Sequence, residues 1–279
     1  MPYPLPADLL SQVQHALAED IGSGDITASL IPADTRVTAH IRSRESAVLC
    51  GTAWVDCTFH TLDPSLQIDW HVADGDSIED GQNLVTLKGA ARTILTGERT
   101  ALNFLQTLSG TATESRRLAT LVAYTRARIL DTRKTLPGLR TAQKYAVLVG
   151  GCDNHRMGLF DAFLIKENHI AACGGIAEAV EAARALDTGK KIEIEVQNLD
   201  ELACALDAGP DIVMLDNFGL EAIGAAVALN QGRAKLEASG GIGASTLVKI
   251  AETGVDYVSI GSLTKHCRAI DFTLLIVEA

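Results

Sequence analysis

From residue 128 onward the chain repeats one unit: a short apolar run, a charged or glycine-rich ending, then a helical stretch. The apolar runs fall at 128–132, 161–166, 191–196, 211–216, 235–239 and 256–261. Between them lie segments with helical spacing, such as GGIAEAVEAARAL, NLDELACALDAG and GASTLVKIAETG. Strands that alternate with helices in one direction imply a parallel sheet covered by its crossover helices. A strand spacing of roughly 20–35 residues suits the βα units of a barrel. Six such strands are visible, so the pattern does not establish a closed eight-stranded barrel.

The first hundred residues read differently, as an α+β unit. A helix is expected over 8–20, and the broken alternation of VTAHIRSRESAVLCG (37–51) suits an exposed sheet. Short strands are expected at 66–72 and 83–88, separated by the turn-rich DGDSIEDG. Residues 98–119 place Ala101, Leu102, Leu105 and Leu108 at helical spacing, with Gly110 expected to interrupt the helix.

Composition narrows the function. A chain of 279 residues, 47% hydrophobic and 21% charged, is a globular protein with a substantial core. The opening MPYPLPADLL lacks a basic stretch followed by an apolar run, and no apolar segment reaches spanning length. A cytoplasmic protein with no membrane role is therefore expected. The six cysteines form no CxxC pair, which suits reduced thiols better than disulfides or a zinc site. A net charge of −11 counts against nucleic acid as the partner. Yet Arg99 to Lys166 hold eleven basic residues against four acidic ones. That asymmetry fits either a small, heavily anionic ligand or a solvated basic face.

The strand endings carry the chemistry. In order they read DTRKT, IKENH, EVQN, LDN, ASGG and SIGS. In a parallel barrel these ends meet on one face, where active sites are built. They would bring together Thr132, Arg133, Lys134, Lys166, Glu195, Asp216 and two glycine-rich turns. Ser239-Gly240-Gly241 precedes a helix beginning near Ala244, and Ile260-Gly261-Ser262 ends the next strand. Glycine lets the backbone approach a ligand closely, and a helix N-terminus offers N–H donors to phosphate. Glu195 and Asp216 could hold Mg2+ or stabilise a cationic sugar centre, or instead pair with Lys134 or Lys166. Glu193 shares a face with Glu195, and Glu237 with Ser239. If those faces point inward, the interior is charged and its charges must be paired.

The runs DTRKTLPGLRTAQKYAVLVGG, NHRMGLFDAFLIKENHI, EVQNLDELACALDAG, IVMLDN, ASGGI and VDYVSIGSLTKH, with LTGERTALNFLQTLSGTAT before them, resemble the quinolinate phosphoribosyltransferase family. The resemblance covers nearly the whole chain in the family's order. It implies an α/β fold in two domains: an N-terminal α/β sandwich over 1–108, joined by 266–279, and an incomplete, about seven-stranded parallel α/β barrel over 109–265. It implies transfer of a phosphoribosyl group from phosphoribosyl pyrophosphate to quinolinate, with Mg2+, giving nicotinate mononucleotide, pyrophosphate and CO2 for NAD synthesis. It also implies a homodimer or larger assembly in which Arg99 reaches into the neighbouring site.

By the same resemblance Arg133, Arg156 and Lys166 would hold the two quinolinate carboxylates with His155 nearby, and Thr132 would belong to the substrate-binding set. Lys134, Glu195 and Asp216 would act on phosphoribosyl pyrophosphate and its Mg2+. Ser239, Gly240, Gly241, Ile260, Gly261 and Ser262 would hold phosphate. The chain departs from the family pattern with Gly150-Gly151-Cys152 in place of three glycines, and with Gln197 where an acid is common. For His155 a loop-capping role stands beside a role at the ligand. Alternative readings are a related phosphoribosyltransferase from molybdate-transport clusters, a non-catalytic barrel that senses sugar phosphates, and a barrel aldolase or isomerase.

Overall fold

The structure, a computed structural model, describes residues 3–278. Among them the strands run, in chain order, β1 (Arg36–Ser43), β2 (Ala47–Val48), β3 (Gln67–Trp70), β4 (Ser77–Ile78), β5 (Asn83–Ala90), β6 (Arg128–Leu130), β7 (Phe163–Ile165), β8 (Ile192–Val196), β9 (Ile212–Asp216), β10 (Lys235–Ser239), β11 (Tyr257–Ser259) and β12 (Phe272–Glu278). The chain divides into two units. One holds Met1–Arg116, Leu136–Gly151 and Thr264–Ala279; the other holds Arg117–Thr135 and Cys152–Leu263.

The first unit is built on an antiparallel sheet of order β12-β1-β5-β3. Alternation in β1 explains its placement. Val37, Ala39, Ile41 and Ser43 are buried, while Arg36, Thr38, His40 and Arg42 face outward. Val37, Ala39 and Ile41 join Leu84 and Leu87 of β5 with Phe59, Ile94, Leu102 and Leu105 from helices in one apolar cluster. Each such side chain contributes about 1.5–3 kcal/mol when fully buried. The break in alternation after residue 43 is a real strand end, because the chain resumes as β2, which pairs with β4 inside the turn-rich DGDSIEDG. Two helices that the apolar pattern does not announce, Thr52–Leu62 and Arg140–Val149, supply Trp54 and Tyr145 to a second cluster with Phe104 and Leu108.

One expectation fails in this unit. Gly110 does not interrupt its helix, which runs unbroken from Ala91 to Val122. A Cβ at position 110 would collide with the carbonyl oxygen of Arg268 and lie 2.9 Å from its carbonyl carbon. The glycine is there to let two backbones meet. Local sequence marks it as a helix breaker, but its cause is a residue 158 positions away in the chain.

The second unit contains the parallel sheet, in the order β6-β11-β10-β9-β8-β7. β8, β9 and β10 lie where the apolar runs place them, whereas β6, β7 and β11 are three residues each and stop short of their polar endings. Asp153 adds one parallel bridge to Leu130 on the outer edge of β6. The barrel is therefore incomplete, with six paired strands and a one-residue rudiment of a seventh. The register aligns Glu195 with Met214, Met214 with Glu237, and Asp216 with Ser239. Among the described residues no helix is long and apolar enough to cross a membrane.

The sign of a single substitution tests the account of Gly110. In an unencumbered helix interior, glycine to alanine stabilises by about 1 kcal/mol. Here Gly110→Ala is expected to destabilise by about 1–3 kcal/mol, as overpacking against backbone does. Thermal denaturation of the two proteins decides, and a raised melting temperature would remove the steric explanation.

Candidate active site

The turns that follow the parallel strands interlock in adjacent pairs. After β6, the Lys134 N–H donates to Thr132 Oγ1 at 3.0 Å, folding DTRKT back on itself. Gly261, just after β11, approaches this turn so closely that a Cβ there would lie 2.9 Å from Lys134 Cδ and 3.4 Å from Thr132 Oγ1. The Ile260 N–H donates to the Leu130 carbonyl at 2.9 Å, holding the two turns in step. Gly240 and Gly241 take φ of +105° and +58°, which side chains other than glycine rarely adopt, and a Cβ on Gly240 would strike Asn217. The Asn217 N–H in turn donates to the Ser239 carbonyl at 2.9 Å. The helix Ala244–Glu252 starts directly beyond, with Gly243 at its N-cap. The end of β10 thus carries a glycine turn followed by a helix N-terminus, the elements from which an anion site is built.

Two arginines meet between the ends of β6 and β7. The Nε atoms of Arg133 and Arg156 are both buried and lack a hydrogen-bond partner among the described residues. Arg156 is held by a bond from Nη1 to the Ala162 carbonyl at 3.4 Å. Burial first, and then the charge of Arg133, pull its pKa below the ordinary arginine value, while Glu193 and Asp161 oppose that shift. Two like charges with idle, desolvated donors form an arrangement that an anion would complete.

Lys166 and Glu195 form a direct ion pair, with Glu195 only 8% exposed. The pairing that the sequence left as one option is therefore present here. Asp216 is half-buried and accepts from Asn217 Nδ2 at 2.9 Å. Gln197, where the family pattern has an acid, bonds Glu167 through Nε2 at 3.0 Å. Cys152 is buried at the end of the stretch before the NHR run. Arg99 is exposed on the long helix of the first unit.

The interior beneath these turns is charged, so the face shared by Glu193 and Glu195 does point inward. Glu193 and Glu237 are 3% and 0% exposed. His155 Nε2 lies 2.9 Å from Glu193 Oε2 and 3.6 Å from Glu237 Oε2. Among the described residues neither oxygen of Glu237 nor His155 Nε2 makes an aligned hydrogen bond, so the His155–Glu193 contact is a proximity of charge and ring. The pKa of Glu237 is pushed up to about 8, by burial above all and then by the charge of Glu193, with His155 pulling it down. Leu130, His155, Arg156, Glu193, Glu237 and Tyr257 line a cavity of about 390 Å³.

Two acids that the sequence reading passed over organise the loop. Buried Asp131, inside DTRKT, accepts from Asn154 Nδ2 at 2.7 Å and from the His155 N–H at 2.9 Å. Asp161 accepts the Met157 and Gly158 N–H groups at 2.6 and 2.9 Å. The signal was an acidic residue in each run, but nothing local said which backbone it would hold.

Two groups of side chains could take a metal. Glu195 and Asp216 end neighbouring strands and, being few, suit a Mg2+ ion that takes its other ligands from water or phosphate. His155, Glu193 and Glu237 present ligand atoms within 4.8 Å of one another. His155 argues against a metal there. Its Nδ1 accepts the Arg156 N–H at 2.8 Å, so the ring proton sits on Nε2, where a metal would have to bind.

Known proteins resemble this chain along its whole length. The family described as "Quinolinate phosphoribosyl transferase, C-terminal domain" matches residues 111–275, and its N-terminal domain matches residues 25–109. A protein of Mycobacterium leprae named nicotinate-nucleotide pyrophosphorylase [carboxylating] is 42% identical over 272 residues, covering 94% of this chain and 95% of its own. The probable nicotinate-nucleotide pyrophosphorylase of Bacillus subtilis is 40% identical over 263 residues, covering 94% and 91%. The solved structure of the nicotinate-nucleotide pyrophosphorylase of Francisella tularensis superposes with a TM-score of 0.95 at 50% identity, covering 98% of each chain.

Glu237 generates a pH prediction whose sign can be worked out. Its folded pKa of about 8 lies above the ordinary 4.5, so the fold favours the protonated form. That contribution is complete below about pH 4.5 and is lost as pH rises towards 8. Glu237→Gln keeps the neutral form at every pH. Its melting temperature relative to the wild type should rise from pH 5 to pH 8 and then level off. A difference that is flat or falling over that range would show that Glu237 carries no such proton.

Proposed function

This chain belongs to the quinolinate phosphoribosyltransferase family, and from that premise we propose that it joins quinolinate to phosphoribosyl pyrophosphate. The products are nicotinate mononucleotide, pyrophosphate and CO2, a step in NAD synthesis. The observation that carries the reading is the pair of idle guanidinium donors on Arg133 and Arg156. Quinolinate bears two carboxylates on adjacent ring carbons, and a dianion of that kind answers two neighbouring forks. Lys166 and Thr132 complete the proposed set, with His155 behind them.

The remaining residues suit the donor. Ser239, Gly240, Gly241, Ile260, Gly261 and Ser262 present backbone N–H and hydroxyl groups of the kind that hold phosphate. Lys134 lies against the Gly261 turn, where it can meet pyrophosphate. Glu195 and Asp216 would hold Mg2+, which when bound neutralises phosphate charge. As the bond from ribose C1 to pyrophosphate breaks, Lys134 offsets charge on the leaving group, and the two carboxylates stabilise the positive charge growing on the sugar. The pyridine nitrogen, held in line by the arginines, attacks C1. The quaternary ring then accepts the electron pair of the C2–carboxylate bond, CO2 departs and C2 takes a proton. The ring is its own electron sink, so these steps ask for no organic cofactor.

We place the enzyme in the cytoplasm, a compartment that suits its six free cysteines. We also read it as a homodimer in which Arg99 serves the neighbouring site.

The reading is tested by assaying nicotinate mononucleotide from quinolinate, phosphoribosyl pyrophosphate and Mg2+. Nicotinate, which lacks the 2-carboxylate, should be used about 10⁴-fold less efficiently, since it leaves designed cations unpaired. Similar efficiency with both acids would sink the roles given to Arg133 and Arg156. For Arg99, the inactive variants Arg99→Ala and Lys134→Ala are dissociated, mixed equally and reassembled. Service across subunits restores about a quarter of wild-type activity, because half the dimers are mixed and each has one intact site. Service within one chain restores none.

A further inference from the structure

The proposed mechanism leaves the buried carboxylates behind His155 without a task. The geometry around that ring is closely specified. The His155 N–H donates to Asp131 Oδ1 at 2.9 Å, which anchors the residue's backbone. Nδ1 accepts the N–H of Arg156 at 2.8 Å. A ring nitrogen that accepts carries no proton, so the proton of the neutral ring is on Nε2. Glu193 Oε2 lies 2.9 Å from that atom, on a side chain 4% exposed.

The other tautomer would set an Nδ1–H against the Arg156 N–H at the same 2.8 Å, two donors facing one another. The backbone would then have to turn at Arg156, the residue whose buried Nε awaits a partner. We infer that Glu193 is a positioning residue: its oxygen, 2.9 Å from Nε2 though not aligned for a full hydrogen bond, opposes a lone pair on that nitrogen, holds His155 in the one tautomer that receives the Arg156 N–H, and so fixes the backbone from which that guanidinium reaches a ligand carboxylate. The inference rests on the quinolinate reading for the identity of the ligand, though not for the locking itself.

The register adds a reason for the carboxylate's position. Glu193 and Glu195 are alternate residues of one buried strand, β8. Glu195 meets Lys166, and Glu193 meets His155 beside Arg156. One strand thus sets two of the proposed cationic ligands from inside. Glu193 itself needs to touch no reacting atom. Its effect belongs in the binding of quinolinate and not in the chemical step.

The test compares Glu193→Gln, whose amide oxygen can still accept, with Glu193→Leu, which cannot. In wild-type protein labelled with 15N in histidine, His155 should show a protonated Nε2 and an unprotonated Nδ1, its signals assigned by their loss in His155→Asn. Glu193→Gln should keep that pattern and a quinolinate KM within about threefold. Glu193→Leu should lose the pattern and raise the quinolinate KM on the order of tenfold or more, the cost of losing the hydrogen bond from the Arg156 N–H to Nδ1. Its kcat and its KM for phosphoribosyl pyrophosphate should stay within about threefold.

A wild-type His155 protonated on Nδ1 overturns the inference, and this arm does not depend on whether Glu193→Leu folds. So does a Glu193→Leu enzyme with unchanged tautomer and unchanged quinolinate KM, or a Glu193→Gln enzyme as damaged as Glu193→Leu. A wild type with no activity on quinolinate sinks the ligand reading instead, and the nitrogen spectra still decide the locking.

Discussion

A strand buried on both faces of a parallel sheet ordinarily reads as an unbroken apolar run. β8 reads Ile-Glu-Ile-Glu-Val, and all five residues are buried. Those two carboxylates are the constraint on which the candidate site depends. Carboxylates removed from water are costly unless something answers them; here Lys166 pairs with Glu195, and the ring of His155 stands 2.9 Å from Glu193. Nearby, the buried Nε atoms of Arg133 and Arg156 lack hydrogen-bond partners among the described residues. A site for a dianion needs such a shortfall, because a fully satisfied cation gains little from its ligand.

Glu237 shows the other way to live with a buried charge. It lies across β9 from Glu195, Met214 standing between them in the register, and its oxygens have no partner among the described residues. Coulomb repulsion from Glu193 and desolvation act together on it, and the carboxyl keeps its proton to about pH 8. One acid in this interior is thus answered by a neighbouring ring and another by its own proton. The difference is made by a few ångströms around His155.

The glycines divide along the same lines. Gly240 and Gly241 need positive φ, and the turn they make is a local matter. Gly110, Gly150 and Gly261 are glycine because something remote comes too close: the Arg268 carbonyl, the Ala112 carbonyl with Ser115, and the Lys134 side chain. The first kind can be read from a strand followed by SGG. The second kind cannot, and Gly110 accordingly reads as a helix break inside a helix of 32 residues.

Much of the fold was legible in the sequence because periodicity is a local property. Apolar runs of strand length, helical spacing between them and polar residues at each ending fall within short windows, and they place β8, β9 and β10 nearly residue for residue. That Glu193 shares a face with Glu195, and Glu237 with Ser239, follows from alternation; that Glu193, Glu195 and Glu237 are buried is seen only in the structure. Long runs such as NHRMGLFD pointed to the family, which the whole-length matches establish. Who meets whom was left to the tertiary structure. The choice of Lys166 as the partner of Glu195, the hold of Asp131 on His155, the proton on Glu237 and the cause of Gly110 all join residues far apart in the chain. Charge and burial act through space, so their outcome depends on which turns the sheet brings side by side. No window of sequence contains that distance.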